Sequence, residues 1–278
     1  MHRWDPRVYE KSSSAQQKWA QELLSRISVR GDEQILDIGC GDGKITAEIA
    51  LLVPKGSVMG LDNSAEMLGF ARLRFPPSSQ PNLSFQYGDA SQLKYENEFD
   101  LILSFACLHW VQDHGPVLEG IKRSLKNDGK VLMQFGGRGN AAAILEVVNG
   151  LISEEKWSGY FEGFRFPYGF FGPDEYRIWL ERAGLSVLRV ELAAKDMVQR
   201  GREGLISWFK TTWLPYIEKI PEDLRMDFIS EVVDRYIRVH PLDDEGNVHV
   251  GMVRLEVEAE KNLRKIGGIR NDQFCYQQ

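Results

Sequence analysis

The chain has 278 residues, enough for one large domain or a domain with an inserted cap. Its 43% hydrophobic and 27% charged residues are those of a soluble globular protein, which excludes a disordered or fibrous chain. The formal net charge of −6 argues against a polyanion-binding surface, so nucleic acid is not an expected partner.

Three cysteines, Cys40, Cys107 and Cys275, form neither a CxxC pair nor a His/Cys cluster. Neither a disulfide framework nor a metal site is therefore expected, and a reducing cytoplasm fits best. No apolar run approaches bilayer-spanning length, and the first residues lack the apolar core of a signal peptide, so no membrane association is expected. There is no fixed-period repeat, and no feature reports an oligomeric state.

In chain order, residues 12–27 predict a helix, with Ser12–Ser14 as caps and Trp19, Leu23, Leu24 and Ile27 on one face. Strand and helix signals then alternate. Gln34–Ile38 predicts a strand, Lys44–Val53 a helix, Ser57–Leu61 a strand ending at Asp62, and Ser64–Arg74 a helix stopped by Pro76-Pro77. Leu83–Tyr87 and Phe99–Ser104 predict two more strands, the second too apolar to be half exposed. A helix over Gly115–Leu125 follows, and Asn127-Asp128-Gly129 turns the chain into strand Lys130–Phe135. This repetition predicts a parallel, doubly wound sheet.

The second half differs. A helix is expected over residues 141–155, then an aromatic-rich loop over 156–172. Pro173-Asp174-Glu175 opens a helix that Gly184 closes. Leu185–Leu192 predicts a strand, residues 198–247 read as mainly helical, and His249–Val257 alternates as the last strand. The tail from Lys265 is polar and glycine-bearing. The expected division is a cofactor-binding core over 1–137, a lid segment over 138–183, a strand within 184–197, a helical insertion over 198–247, the last strand and the start of the tail over 248–264, and a tail over 265–278.

The most informative stretch is Ile35-Leu36-Asp37-Ile38-Gly39-Cys40-Gly41-Asp42-Gly43, a glycine loop between a strand and a helix. Such a loop lets backbone approach a nucleotide-like ligand closely. A dinucleotide loop has G-x-G-x-x-G, whereas this one reads G-x-G-x-G. Asp37 would sit awkwardly beside a pyrophosphate, yet a carboxylate suits a ligand bearing amino and sulfonium cations. Asp62, 19 residues past Gly43, matches the spacing of a ribose-binding acid. Bland readings stand beside these: Asp37 or Asp62 as a helix cap, Asp89 as a turn residue, Met67 as core and Cys40 as a small apolar filler.

In order and spacing, this loop, Gly60-Leu61-Asp62-Asn63-Ser64, Tyr87-Gly88-Asp89-Ala90, Phe99-Asp100-Leu101-Ile102 and Leu125-Lys126-Asn127-Asp128-Gly129 resemble the class I S-adenosylmethionine-dependent methyltransferases. The resemblance implies a Rossmann-like, seven-stranded, mostly parallel α/β sheet with helices on both faces and a helical cap inserted before the last strand. It implies S-adenosylmethionine as cofactor, with Asp89 at the adenine amino group between Gly88 and Ala90. By the same resemblance Asp37, Gly39, Cys40, Gly41 and Gly43 wrap the methionine portion and ribose. Asp62 and Asn63 take the ribose, Met67 packs on adenine, and Ser104 and Phe105 close the far side.

Outside that site, Trp4-Asp5-Pro6 with Tyr9, Leu108-His109-Trp110-Val111 with Asp113-His114, Ser207-Trp208 through Trp213-Leu214, and Tyr236 to His240-Pro241-Leu242 resemble the group of trans-aconitate and juvenile hormone acid methyltransferases. That group implies O-methylation of a carboxylate on a small organic acid. One departure is His109, where trans-aconitate enzymes can carry Gln. A carboxylate is ionised at pH 7 and needs no general base, so alignment and exclusion of water suffice.

Several candidates for the acceptor side have two readings each. His109 either contacts the acceptor or packs as a neutral residue, and Trp110 is a cofactor wall or core. Arg138 is a carboxylate fork or a solvated loop residue. Trp4 and Tyr9 form a lid or pack on the surface, and Trp208, Trp213 and Tyr216 shape the pocket or fill the core. A carrier-bound acyl group, a protein or an RNA is the alternative acceptor, and a non-catalytic cofactor-binding protein is the alternative of another class.

Overall fold

The computed structural model describes residues 14–261. Its seven-stranded sheet has the order β3-β2-β1-β4-β5-β7-β6. Here β1 is Gln34–Ile38, β2 Ser57–Asp62, β3 Leu83–Tyr87, β4 Phe99–Phe105, β5 Leu125–Gly136, β6 Ser186–Arg200 and β7 Asn247–Glu260. The pairings of β1 to β5 are parallel, and β7 runs antiparallel to both β5 and β6. The order steps outward from β1 in one direction through β2 and β3 and in the other through β4. The ends of β1 and β4 therefore form the crevice where open α/β sheets bind ligands.

Apolar residues on both faces of the strands explain the layers. In β4, Leu101, Leu103 and Phe105 pack into one cluster with Ala20, Leu23, Ala47 and Ile49, while Ile102 joins Val117, Leu118 and Ile121 on the opposite face. The first cluster is covered by α1 (Ser14–Leu24) and α2 (Lys44–Leu52), the second by α4 (Gly115–Ser124), with α3 (Ala65–Arg74) between them in the chain. A strand buried on both faces reads as a continuous hydrophobic run.

A third apolar cluster lies outside the sheet. It joins α5 (Ala142–Ile152), α6 (Glu155–Ser158), α8 (Gly201–Thr212), α9 (Leu214–Ile217) and α10 (Arg225–Val239) to Met197 of β6 and Val248, Val250 and Met252 of β7. Helix α7 (Pro173–Arg182) instead returns to the sheet through buried Tyr176 and Leu180.

Some expected boundaries move. The first helix ends at Leu24, short of Ile27. Strand β5 begins at Leu125, and its pairing with β4 jumps from Phe99↔Leu125 to Leu101↔Lys130, so the Asn127–Gly129 turn bulges out of the strand. The last two strands are much longer than Leu185–Leu192 and His249–Val257. Their pairing runs from Ser186↔Glu260 to Arg200↔Asn247, whereas β5 follows β7 only as far as Gly136↔Arg254. Beyond that point β6 and β7 project as a two-stranded arm that carries the cap helices, so the expected limits at 197/198 and 247/248 fall within strands. Residues 193–200 alternate in exposure but not in polarity (Ala-Ala-Lys-Asp-Met-Val-Gln-Arg), with Met197 the sole buried side chain in the stretch, so ladder pairing rather than sequence patterning makes them strand.

The cap is tied by Trp157, fully buried, whose Nε1 donates to Glu231 Oε2 at 3.1 Å and whose ring meets Phe228 edge-on at 5.1 Å. Trp157→Ala is expected to lower unfolding free energy by ~3–5 kcal/mol in urea titrations.

Candidate active site

The glycine loop is held open by backbone geometry. Gly39 has φ +77°, and a Cβ there would sit 2.3 Å from the Cys107 side chain. Gly43, at φ +79°, caps α2, and a Cβ would sit 2.7 Å from the Phe85 ring. Larger residues at either place meet both left-handed strain and a clash. The Gly39 and Cys40 N–H groups donate to Leu61 O at 2.7 and 3.1 Å, which fastens the loop to the tip of β2.

Asp62 completes that fastening. Its Oδ2 accepts from Gly41 N at 2.9 Å and its Oδ1 from Ser64 N at 2.8 Å. Ser64 in turn caps α3 by accepting from Met67 N at 3.2 Å. Each Asp62 oxygen retains a further lone pair, enough for a diol. Burial raises its pKa against the opposing pull of these N–H donors. Asp37 is more deeply buried and accepts from Thr46 Oγ1 at 2.6 Å. Desolvation, with the Asp62 charge adding, pushes its pKa up to about 7. Asp89 is exposed and accepts from both Ser91 N (2.8 Å) and Ser91 Oγ (2.7 Å), so it is also the turn residue of its bland reading.

Past β4, Leu108–Trp110 makes one turn of 3-10 helix. The His109 ring lies about 6 Å from those of Trp110, Tyr168 and Phe170. Its Nδ1 accepts from Gly136 N at 3.4 Å, which leaves the proton of the neutral ring on Nε2. Desolvation, then repulsion from Arg254, pushes its pKa down to about 3, so it is neutral at ordinary pH. His114 is structural: its Nε2 donates to Leu108 O and Val111 O, and its Nδ1 accepts from Tyr176 OH at 2.9 Å.

A cavity of about 520 Å³ joins these parts. Of the expected cofactor residues, Gly39, Gly41, Asp62, Asn63, Met67, Gly88, Asp89, Ala90, Phe105 and Trp110 line it. His109, Trp208 and Trp213 line it too. Others stand behind the wall. Ser104 Oγ donates to Ile38 O at 2.9 Å and bridges the two strand ends. Cys40 packs against Gly60, Gly43 against Phe85 and Ala71, and Asp37 on Thr46. Tyr216 is core rather than pocket, its ring tilted against Phe164 at a centroid distance of 4.7 Å inside the cap cluster. Arg138 is not at the cavity: its side chain is 62% exposed and pairs with Glu175 at the start of α7 at 2.7 Å. The Trp4 and Tyr9 assignments lie outside the described residues.

Residues that the sequence reading missed complete the lining. Tyr168 and Phe170 come from the aromatic loop, which is docked by Gly169 N donating to His109 O (2.8 Å) and Tyr168 OH donating to Thr212 O (2.8 Å). Gln16 of α1 also lines it, and its Oε1 has no hydrogen-bond partner among the described residues. From β7 comes Arg254, 4% exposed, whose guanidinium lies 4.7 Å above the Trp19 ring. The signal for Arg254 was its place on the same alternation face as Val248, Val250 and Met252, a charge where the pattern calls for core.

The Asp37 shift has a consequence for folding. Between the ordinary carboxylate range and about 7, the folded chain keeps a proton that the unfolded chain releases, so this group lowers stability as pH rises through that window. In ligand-free protein, Asp37→Asn is expected to reduce the loss of stability between pH 5 and pH 8 by up to about 3 kcal/mol, read from urea midpoints. Part of the loss persists through Asp62, which shifts the same way.

Comparison with known proteins agrees with this geometry. Residues 30–164 match the family described as methyltransferase domain. The chain is 31% identical to trans-aconitate 2-methyltransferase of Deinococcus radiodurans, over 78% of this chain and 83% of that protein. It is 26% identical to the Escherichia coli O7:K1 protein of the same name, over 94% and 99%. Among solved structures, the fold is shared with Bacillus subtilis YcgJ (TM-score 0.58, 17% identity, 87% of this chain and 97% of that one). It is shared also with Haemonchus contortus phosphoethanolamine N-methyltransferase 2 in complex with S-adenosyl-L-methionine (TM-score 0.57, 20% identity, 92% and 56%). The chain is an enzyme and belongs to the class I S-adenosylmethionine-dependent methyltransferases.

Proposed function

We propose that the enzyme methylates a carboxylate of a small organic acid, trans-aconitate or a relative of it. The observation that carries this reading is His109. It sits in the same cavity as the glycine loop and Asp62, is held neutral, and has its Nδ1 lone pair engaged by Gly136 N. A ring so placed donates one hydrogen bond from Nε2 and is too weak a base to deprotonate a hydroxyl or an ammonium acceptor. Of the common acceptors, a carboxylate alone arrives already ionised. The relatives named for trans-aconitate point to the same class.

The donor set fits the cofactor. The free lone pairs of Asp62 suit the two ribose hydroxyls, Asp89 with Gly88 and Ala90 suits the adenine edge, and Met67 suits its face. Buried Asp37, behind the loop, suits a cationic ligand, because a nearby positive charge relieves the cost of its own ionisation. S-adenosylmethionine supplies a methyl group on a sulfonium sulfur, which a carboxylate lone pair takes by in-line displacement as the C–S electrons return to sulfur. Trp110, Tyr168, Phe170 and Trp213 wall the acceptor and exclude water, which strengthens each polar contact within. Free thiols at Cys40 and Cys107, both raised in pKa by burial, fit a reducing cytoplasm.

Incubated with S-adenosylmethionine and a panel of small acids, the protein is expected to form methyl esters and S-adenosylhomocysteine. Methylation of hydroxyls or amines alone would reject the carboxylate reading. The kcat/KM for the acid should be flat from pH 5 to 8. His109→Gln keeps a donor and stays within ~10-fold of wild type, whereas His109→Leu loses ~10–10²-fold. A kinetic limb near pH 6.5 that disappears in His109→Gln would instead make His109 a base. Asp62→Ala is expected to weaken S-adenosylhomocysteine binding ~10²-fold by calorimetry.

A further inference from the structure

Asn140 lines the cavity and is 4% exposed. It lies in the bend between β5 and α5, flanked by two residues in the left-handed region, Gly139 at φ +83° and Ala141 at φ +54°. A left-handed alanine is strained and persists only where its surroundings over-determine it. Here Asn140 N donates to Gly137 O at 3.0 Å, and Asn140 Oδ1 accepts from Val253 N of β7 at 3.1 Å. The second bond fixes which way the amide faces, because a backbone N–H needs the oxygen. Nδ2 is therefore the donor end, and it makes no hydrogen bond among the described residues. A buried amide N–H is costly unless something accepts from it. Gly136, the last residue of β5, brings this donor beside His109. Its N–H donates to His109 Nδ1 at 3.4 Å, and a Cβ on it would sit 3.0 Å from Asn140 Nδ2 and 2.7 Å from Phe170 Cε1. Two side chains thus flank one residue that has no side chain, and each has an N–H that no described residue accepts.

We propose that Asn140 binds the methyl acceptor: its Nδ2 and His109 Nε2 each donate to one oxygen of the carboxylate that is methylated. This deepens the carboxylate reading above and rests on it. Each carboxylate oxygen has two lone pairs, so a donor on one leaves the other for the methyl carbon. Two neutral donors orient the anion without setting a countercharge against it, and its charge stays directed at the sulfonium. They also set specificity. An ammonium has no lone pair to offer the pair of donors, and a primary amide turns its own N–H2 against one of them. The backbone of β7, through Val253 N, holds the amide in that orientation before the acceptor arrives.

The test offers trans-aconitate, crotonate and octanoate to the wild-type protein with S-adenosylmethionine and carries forward the acid esterified fastest. Asn140→Ala removes the amide and adds no charge. Its KM for that acid should rise ~10–10²-fold, while its affinity for S-adenosylhomocysteine, read by calorimetry, stays within ~3-fold of wild type. Asn140→Asp keeps the oxygen that Val253 N requires, so the bend is retained. At pH 8 its charge faces the acid, and KM should rise at least as far. Toward pH 5 the new carboxyl takes up a proton, its O–H replaces the lost N–H, and kcat/KM should recover in part, an acid limb that wild type lacks. A purely structural Asn140 gives a different pattern: Asn140→Ala loses acid and S-adenosylhomocysteine together, and Asn140→Asp matches wild type at every pH. That pattern would overturn the proposal, and so would an unchanged KM in Asn140→Ala. Failure of the carboxylate reading shows earlier, in wild type, when none of the three acids yields an ester, and the proposal falls with it.

Discussion

The Asp62 carboxylate is the contact on which the site depends. It lies at the end of the second strand and binds two backbone N–H groups, one from the glycine loop and one from the start of the next helix. Two neighbouring parallel strands are thereby locked at their tips, and the loop keeps the left-handed turns at Gly39, Gly41 and Gly43 that expose its backbone to the cavity. Asp62 also lines the cavity. Fold and ligand compete for no lone pair, because a carboxylate has more acceptor sites than the loop consumes.

Electrostatic frustration is the counterpart of that design. Burial raises the pKa of both Asp37 and Asp62, and the Asp62 charge raises that of Asp37 further. Such a pair stores unfavourable energy in the empty site, which a cationic cofactor releases on binding. At the far side of the cavity the sign reverses: Arg254 contributes to holding His109 neutral. One chamber thus has carboxylates at its strand-tip end, a buried guanidinium on the β7 side and a neutral imidazole in its wall. Among the described residues, other arginines of this net acidic chain form surface pairs, such as Arg202 with Asp234 and Arg235 with Glu154.

How much of this was legible in the sequence follows from the range of the interactions. The strands of the first half announce themselves locally, through apolar runs broken by Gly and Asp, and the loop and Asp62 are read from spacing, whereas Asp89 came from the family resemblance. The arm was not legible, because residues 193–200 become strand by pairing with β7 more than 45 positions away. Arg138 looked right in sequence, directly after the fifth strand, but Glu175 at the start of α7 draws it outward. Arg254 was hidden in a last strand expected to alternate, where it falls on the buried face. The aromatic loop was visible as a composition, yet its docking on the His109 carbonyl is a tertiary contact no periodicity encodes. Tyr216 shows the converse: aromatics at helical spacing near a cap are core unless a cavity reaches them.

The central claim is that one chamber holds the adenosyl group at Asp62 and an acid at His109. A crystal structure of the ternary complex with S-adenosylhomocysteine and trans-aconitate tests it most directly. The account predicts ribose hydroxyls on the Asp62 carboxylate and an acid carboxylate on His109 Nε2 facing the sulfur. An acid bound outside the chamber, or a ribose with no contact to Asp62, would contradict it.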